Sequence, residues 1–357
     1  MSLDPLWEYG GDFPWPDSSQ IMPLPASADT TSFFSEGVFF GTGRAALVAL
    51  LEHGKTTRKW RRLCVPSYFC PRVIQTIEEA GWDCPRYADT PVSLPYGRPP
   101  CILPGDVVLR MNFFGWRGAE AIAGSPELEC DVIEDHSHDP YGAWARGSRA
   151  AYCVVSLRKT IPIPDGGWLW SPTRQELPSP GGPSDVHMLA AGLKMSGMVL
   201  KQHYREGVPI LKSSFRKCLL DGEALLGTGR PGGMHPVSRS ILHPSFLLNL
   251  AEQRRKNLRT LRKQLPHLSA FAPVWELPAD CSPFALVLQF DSLEQRERVK
   301  NHLIESRIYP SVLWSLPHAK DPRTVDFGNR SLTIPCHYQY SERDLARTAE
   351  TLESLFS

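Results

Sequence analysis

Short apolar runs alternate with amphipathic segments through the first half of the chain. The apolar runs predict strands at 38–40, 63–65, 106–115, 131–135, 150–156 and 167–170. Helix formers or apolar residues at helical spacing predict helices at 44–51, 73–80 and 186–206. Alternating short strands and helices indicate an α/β fold with a mostly parallel sheet. In such folds, functional groups collect where the strands end.

The second half of the chain has a different pattern. A connector rich in Gly and Pro at 227–244 marks the predicted domain boundary. Beyond it the pattern predicts helices at 247–265, 293–306 and 341–355 and strands at 284–290 and 332–335. Residues 1–35 have no sustained period. We therefore predict an N-terminal arm (1–35), a large domain (36–235) and a small C-terminal α+β domain (236–357).

Composition limits the class of partner. The chain has 357 residues, 42% hydrophobic and 22% charged, with a net charge of +1. This balance is typical of a globular protein and argues against nucleic acid or a membrane as partner. The N-terminal residues lack a basic segment followed by an apolar core, and no apolar run reaches about 18 residues, which predicts a cytoplasmic protein. Nine irregularly spaced cysteines predict free thiols and no metal site.

Lys159 is the candidate for covalent chemistry, because it follows an apolar strand and precedes a turn that contains Gly166 and Gly167. A lysine becomes a nucleophile when burial or a neighbouring cation lowers its pKa. Most lysines are exposed, so the residue taken alone favours a solvated loop lysine. Its role depends on what the rest of the chain places beside it.

Two further features lie on earlier strands. Thr42, Gly43 and Arg44 stand where a helix begins, and free amide groups there can bind phosphate, although a plain glycine turn remains open. Asp135 ends a strand and could hold a protonated ring nitrogen, or it could be a turn carboxylate; Glu134 is the structural member of the pair. A phosphate cradle, a carboxylate and a lysine in this order are what a pyridoxal phosphate site requires.

These motifs resemble the DegT/StrS-type sugar aminotransferases, pyridoxal-phosphate-dependent enzymes with the aspartate aminotransferase fold (fold type I). The matching segments are Gly41-Thr42-Gly43-Arg44-Ala45-Ala46-Leu47, Val65-Pro66-Ser67-Tyr68, Asn112-Phe113-Phe114-Gly115, Glu134-Asp135-His136-Ser137-His138, 156–167 and 307–314. The resemblance covers most of residues 38 to 350. It implies a mostly parallel seven-stranded sheet in the large domain.

The resemblance also implies roles for individual residues. Lys159 would form the Schiff base with pyridoxal 5'-phosphate, and Asp135 would pair with the pyridine nitrogen. The remaining cofactor-binding candidates are Gly43, Arg44 and Ser156 at the phosphate, Thr42 next to them, His138 beside the ring, and Tyr68 or Phe69 stacked on it. Asn112 and Arg158 are weaker candidates for substrate binding.

The sequence departs from the family pattern at two points. Ser156 and Lys159 are three residues apart, whereas many members keep five. The family's G-x-N-Y-R segment, which reaches the phosphate of the neighbouring subunit, is not visible after Lys159. Residues 203–205 match that segment only weakly. Substrate handling is therefore expected to differ from that of the ordinary members.

The resemblance predicts a homodimeric aminotransferase with active sites at the subunit interface. It would move an amino group from an amino acid donor to a keto sugar, in nucleotide-linked form. Two alternatives stay open. One is pyridoxal phosphate chemistry of another type on an amino acid, namely elimination, decarboxylation or C–C bond chemistry. The other is a non-catalytic regulator that only binds the cofactor.

Overall fold

The computed structural model describes residues 6–16, 36–91, 97–117, 128–228, 232–242, 244–265, 281–313, 316 and 321–355. Residues 1–5 and 17–35 of the predicted arm lie outside the described residues, as does residue 314. The strands are β1 (Tyr9–Gly10), β2 (Gly37–Phe40), β3 (Arg62–Pro66), β4 (Arg86–Tyr87), β5 (Asp106–Met111), β6 (Asp131–Asp135), β7 (Tyr152–Ser156), β8 (Gly167–Trp170), β9 (Ala285–Gln289), β10 (Ile308–Tyr309) and β11 (Ser331–Pro335).

The helices are α1 (Gly43–Thr57), α2 (Pro71–Glu79), α3 (Ala143–Arg146), α4 (Asp185–Arg205), α5 (Lys212–Leu226), α6 (Pro236–Ile241), α7 (Pro244–Gln264), α8 (Leu293–Glu305), α9 (Pro322–Arg330) and α10 (Glu342–Glu353). Single 3₁₀ turns follow β5 and β7. None of the helices in the described ranges is long and apolar enough to cross a membrane.

Seven strands form the central sheet, in the order β2-β8-β7-β6-β5-β3-β4. The pairs β4–β3, β3–β5, β5–β6 and β6–β7 are parallel, while β8 runs antiparallel to both β7 and β2. This arrangement confirms the predicted α/β fold with its mostly parallel seven-stranded sheet. Because β5, β6 and β7 are adjacent and parallel, the residues that follow them meet at one edge of the sheet.

Helix α5 was not predicted from the sequence. Its N-terminus has no side-chain cap, and Gly222 lies in its interior, so the local helix signal is weak. Packing stabilises it instead, because a Cβ on Gly222 would lie 2.6 Å from Cγ of Lys194 and 2.8 Å from the carbonyl oxygen of Ala190 on α4. The glycine lets α4 and α5 pack as a close antiparallel hairpin.

Two hydrophobic clusters form much of the core, and the larger includes residues from beyond the predicted domain boundary, among them Val287. The larger packs α1 and α2 against the central sheet, with Leu50, Leu109 and Ile133 among its buried members. The other joins the antiparallel pair β9 and β11 to α8 and α10, and it includes Tyr9 from the predicted arm. Tyr9 is fully buried because β1 pairs with β10. The division at residue 235 stays a prediction.

Candidate active site

Lys159 stands at the end of the tight turn that follows β7. Leu157 is fully buried; its amide donates to the carbonyl of Gly166 at 3.0 Å and its carbonyl accepts from the amide of Thr160 at 3.1 Å. These bonds close a single 3₁₀ turn over Leu157–Lys159. The shortened spacing between Ser156 and Lys159 is accommodated by this turn, and both residues line the same cavity.

The N-terminus of α1 packs closely against the end of β7, and a glycine makes this close contact possible. A Cβ on Gly43 would lie 2.9 Å from both the Cβ and the amide nitrogen of Ser156, closer than side chains approach. Thr42 caps the helix, its hydroxyl oxygen accepting from the amide of Ala45 at 3.0 Å. The remaining first-turn amides of a helix have no partner within it and favour an anion. Gly43 therefore places an anion-binding helix terminus against Ser156.

Asp135 and Glu134 end β6 and, by strand alternation, point to opposite faces of the sheet. Oδ1 of Asp135 accepts from the amide of Ser137 at 2.8 Å, and Asp135 lines the cavity that contains Lys159. Glu134 is enclosed, and its Oε2 accepts from Ser148 at 2.6 Å and lies 3.1 Å from Nε2 of His136. Asp135 is thus the carboxylate available to a ligand.

The environment of Glu134 keeps it charged. Burial acts to raise the pKa of Glu134, but hydrogen bonds with His136, Ser148 and Trp144 hold it below its ordinary value. Burial raises the pKa of the neighbouring Cys153 thiol well above its ordinary value. Ligand atoms of Glu134, His136 and Cys153 lie within 4.8 Å of one another, and these groups form a hydrogen-bonded cluster. The absence of a metal site stays a sequence prediction.

A cavity of about 170 Å³, called here the Asp135 cavity, gathers most of the predicted site residues. The predicted residues that line it are Thr42, Gly43, Arg44, Phe69, Asp135, Ser156, Arg158 and Lys159. They come from the start of α1, the loop before α2, and the ends of β6 and β7. The fold thus brings together groups that are up to 117 residues apart in sequence, from Thr42 to Lys159.

A second cavity of about 360 Å³, called here the His337 cavity, also borders Lys159. Arg158 and Lys159 line both cavities. The rest of the lining of the His337 cavity comes from the segment 11–13, helices α4 and α5, the region around β9 and β11, and the single residues Ile163 and Ser311. Lys159 therefore faces two adjoining spaces, one beside Asp135 and one beside Lys194 and His337.

Glu223 on α5 forms ion pairs with two basic residues that line the His337 cavity. Its two oxygens take a bidentate pair with Arg158 at 2.6 and 2.8 Å, and Oε2 also accepts from Lys194 at 2.9 Å. Burial acts to raise the pKa of Glu223, but Arg158 and Lys194 lower it to about 2. The Arg158 guanidinium, predicted to bind substrate, is engaged by a carboxylate of the same chain.

Tyr68 and Asn112 line neither cavity. The Tyr68 hydroxyl donates to Oδ2 of Asp89 at 2.9 Å and lies 3.1 Å from Nη1 of Arg117. Asn112 is fully buried, and its Oδ1 accepts from the amide of Arg117 at 3.3 Å. Of the two candidate stacking aromatics, Phe69 is the one that borders the Asp135 cavity. The roles of Tyr68 and Asn112 in binding stay predictions.

His138 also lies behind the cavity walls. Its Nδ1 accepts from the amide of Phe114 at 3.0 Å, and its ring stacks on Phe284 with centroids 4.2 Å apart. Burial, followed by the nearby charges of Lys159 and Arg254, lowers the pKa of His138 well below its ordinary value. A neutral ring beside Lys159 is therefore present, and contact with the cofactor stays a prediction.

Sequence reasoning did not single out Arg72, Lys194 or Glu223 as site residues. Lys194 and Glu223 lie on the α4–α5 hairpin, and α5 gave no clear signal in the sequence. Arg72 stands in the first turn of α2, one residue after Pro71, and lines the Asp135 cavity. Pro at the first position of a helix is a start signal, and it could have located this helix terminus from the sequence.

The groups present fit pyridoxal phosphate. The Asp135 cavity offers an amine, a carboxylate and a helix N-terminus, with the close approach at Gly43 forming the cradle between α1 and β7. These are the groups that the aldehyde, the pyridine nitrogen and the phosphate of this cofactor need. Lys159, Asp135 and the first turn of α1 would hold those three parts.

The chain has the fold of pyridoxal-phosphate-dependent transferases of fold type I. It resembles the sugar aminotransferase CalS13 from Micromonospora echinospora at 16% identity and a TM-score of 0.59, covering 99% of this chain and 100% of that one. A DegT/DnrJ/EryC1/StrS aminotransferase from Brucella abortus aligns at 16% identity and a TM-score of 0.55, over 91% and 87% of the two chains. These likenesses confirm the fold expected from the sequence resemblance.

A third solved structure carries a cofactor. NtdA from Bacillus subtilis, with the cofactor PMP bound, aligns at 14% identity and a TM-score of 0.61, over 89% of this chain and 73% of that one. No family model matches the sequence, and a search of curated proteins finds no significant match. The likeness that these comparisons show is therefore one of fold.

Proposed function

We propose that this protein is a pyridoxal-phosphate-dependent aminotransferase that moves an amino group from an amino acid to a keto sugar. One observation carries the proposal: Lys159, Asp135 and the N-terminus of α1 border a single cavity. Lysine and aspartate at these positions are the pair that this cofactor's chemistry uses. The fold shared with sugar aminotransferases supports the same reaction class.

Each group has a defined task in this proposal. Bound pyridoxal phosphate supplies an aldehyde that captures amines and a ring that accepts electrons. The Asp135 carboxylate holds a proton on the ring nitrogen, which favours that acceptance. Lys159 would hold the aldehyde through Nζ, and the same amine would serve as the general acid–base group at the reacting carbon. The amides at the start of α1 and the Ser156 side chain bind the phosphate.

The His337 cavity is the proposed substrate space, because it borders Lys159 and is not lined by Asp135. Lys194 and Asp12 give it polar groups, while Phe13 and Phe284 give it apolar surface. A keto sugar in nucleotide-linked form offers hydroxyl and phosphate groups to such a lining. We propose that the enzyme acts as a cytoplasmic homodimer, with the partner subunit completing the site.

The half-reaction with amino donors tests this function. Wild-type protein loaded with pyridoxal phosphate is expected to change its visible absorbance to that of the amine form when L-glutamate or another donor is added. Candidate nucleotide-linked keto sugars should then restore the first spectrum and yield an amino sugar. Lys159→Ala, which removes the amine and its alkyl stem from a half-buried side chain, is the matched control and should show neither change.

Two results would contradict the proposal. A protein that gains no visible absorbance with pyridoxal phosphate would contradict the cofactor assignment. A protein that gains it but reacts with none of the common amino donors would contradict transamination and favour elimination, decarboxylation or C–C bond chemistry.

A further inference from the structure

Two arginines from different helices face each other at the Asp135 cavity. Arg44 lies in the first turn of α1 and Arg72 in the first turn of α2, and both line the cavity. From the position that a Cβ on Gly227 would take, Nη2 of Arg44 is 3.3 Å away and Nη2 of Arg72 is 3.4 Å away. The two guanidinium groups are therefore neighbours, although Arg72 stands on a helix that the motif comparison did not assign to binding.

The charges of this pair are not balanced by carboxylates of the described chain. Within the described ranges, neither Arg44 nor Arg72 forms an ion pair, and Nη2 of Arg44 reaches the carbonyl of Leu226 at 3.5 Å. Arg158 differs, because both terminal nitrogens of its guanidinium group donate to the Glu223 carboxylate. Burial, then the like charges of Arg158 and Arg72, lower the pKa of Arg44.

A cavity with this excess of positive charge suits a dianion. A phosphate monoester brings two negative charges and three acceptor oxygens, and guanidinium groups bind such oxygens in bidentate fashion. The cavity wall also contains the N-termini of α1 and α2, whose dipoles act in the same direction. Geometry, charge and helix direction thus favour the same ligand group.

We propose that Arg72 binds the phosphate of the cofactor together with Arg44. This contact, made within one chain, would stand in for the one that the family's G-x-N-Y-R segment makes. This inference rests on the proposed function, which places pyridoxal phosphate in the Asp135 cavity. Arg158 also lines the cavity, but Glu223 neutralises its charge, so Arg44 and Arg72 are the arginines left to bind the phosphate.

The test compares ligands with and without a phosphate. Dissociation constants of pyridoxal phosphate, pyridoxal, inorganic phosphate and uridine diphosphate are measured by absorbance or calorimetry for wild type, Arg72→Gln, Arg72→Lys and Arg216→Gln. Arg216 is the matched control, because it is exposed on α5 and lines neither cavity. Arg72 is also exposed, so its loss leaves the core intact.

The expected result for Arg72→Gln is a loss of about 10- to 100-fold in pyridoxal phosphate affinity, with pyridoxal affinity unchanged. Arg72→Lys should retain part of the affinity and Arg216→Gln all of it. Equal affinity of wild type and Arg72→Gln for pyridoxal phosphate would overturn the assignment, as would an equal loss for pyridoxal. A loss confined to uridine diphosphate would overturn it by assigning the arginines to a substrate phosphate.

The inorganic phosphate measurement separates this inference from the proposed function. If wild type bound no pyridoxal phosphate, the proposed function and the cofactor assignment would both fail. In that case, weaker binding of inorganic phosphate by Arg72→Gln than by wild type would still establish an anion site at Arg72. Equal binding of inorganic phosphate by the two proteins would rule out that anion site too.

Discussion

The two faces of the sheet at the end of β6 carry adjacent carboxylates with opposite surroundings. Asp135 accepts one backbone hydrogen bond and borders a cavity. Glu134 accepts from Ser148, lies beside His136 and is closed off from solvent. A one-residue step along a strand reverses the face, so the same sequence motif places one carboxylate at a cavity and encloses the other.

We expect the groups on the cavity face to serve chemistry and the groups on the opposite face to serve stability. The cavity face keeps charges and amides incompletely satisfied, as the arginines without carboxylate partners and the open N-terminus of α1 show. On the opposite face, the buried carboxylate is held by hydrogen bonds. Substitutions on the two faces should therefore affect different measurements.

The largest effect is expected from Lys159→Ala. Loss of the amine that moves the proton should reduce the transamination rate at least about 10³-fold. The midpoint of thermal unfolding should stay near that of wild type, because the side chain is half-buried and the turn is fixed by backbone bonds of Leu157. Rate measurements alongside thermal denaturation check both parts. Retained turnover would exclude Lys159 as the reacting amine.

Asp135→Asn should have the next largest effect. The amide is nearly isosteric but carries no charge to hold the ring-nitrogen proton, so turnover should fall about 100-fold. Asp131→Asn is the matched control at the opposite end of β6, where the carboxylate takes an ion pair with Arg58. Steady-state rates of both variants decide the matter. Equal rates for the two would mean that Asp135 has no special relation to the ring.

Glu134→Ala should affect stability and leave the site alone. Removing this carboxylate strips His136 and Ser148 of their buried partner, which should lower the free energy of unfolding by about 2 kcal/mol. Chemical denaturation of Glu134→Ala and Glu134→Gln measures it, and the amide should recover part of the loss. Pyridoxal phosphate affinity should be unchanged in both, and a large drop in it would contradict the separation of faces.

The smallest predicted effect concerns acid stability. The folded state holds the pKa of Glu134 below its ordinary value, so the charged form stabilises the fold above the unfolded pKa, and this contribution is lost as the pH falls. The free energy of unfolding of wild type should therefore fall more steeply below about pH 5 than that of Glu134→Gln. Denaturation between pH 3 and pH 7 compares them, and parallel slopes would count against this explanation.

Much of the fold was predictable because its signals are local. Apolar runs gave β5, β6 and β7 with small errors at their ends, and glycines marked the turns after β2 and before β8. The cavity residues on these strand ends were predictable for the same reason, since adjacent parallel strands end at one edge. The seven-stranded sheet and the fold type followed from the motif resemblance and are confirmed.

The remaining wall of the site could not be predicted, because it depends on tertiary packing. Glu223 reaches both Arg158 and Lys194 only because α5 packs on α4 through Gly222, and glycine inside a helix weakens the local signal. The position of His138 was equally non-local. Its ring lies against Phe284, which is 146 residues further along the chain. Such contacts have no signature in the sequence window around either residue.

The central claim is that Lys159 is the amine that holds the cofactor. Borohydride reduction of the protein loaded with pyridoxal phosphate, followed by peptide mass mapping, tests it directly. The account predicts one pyridoxyl group, on the peptide that contains Lys159, and none on that of Lys194, which lines the adjoining cavity. A pyridoxyl group on another lysine, or none at all, would contradict it.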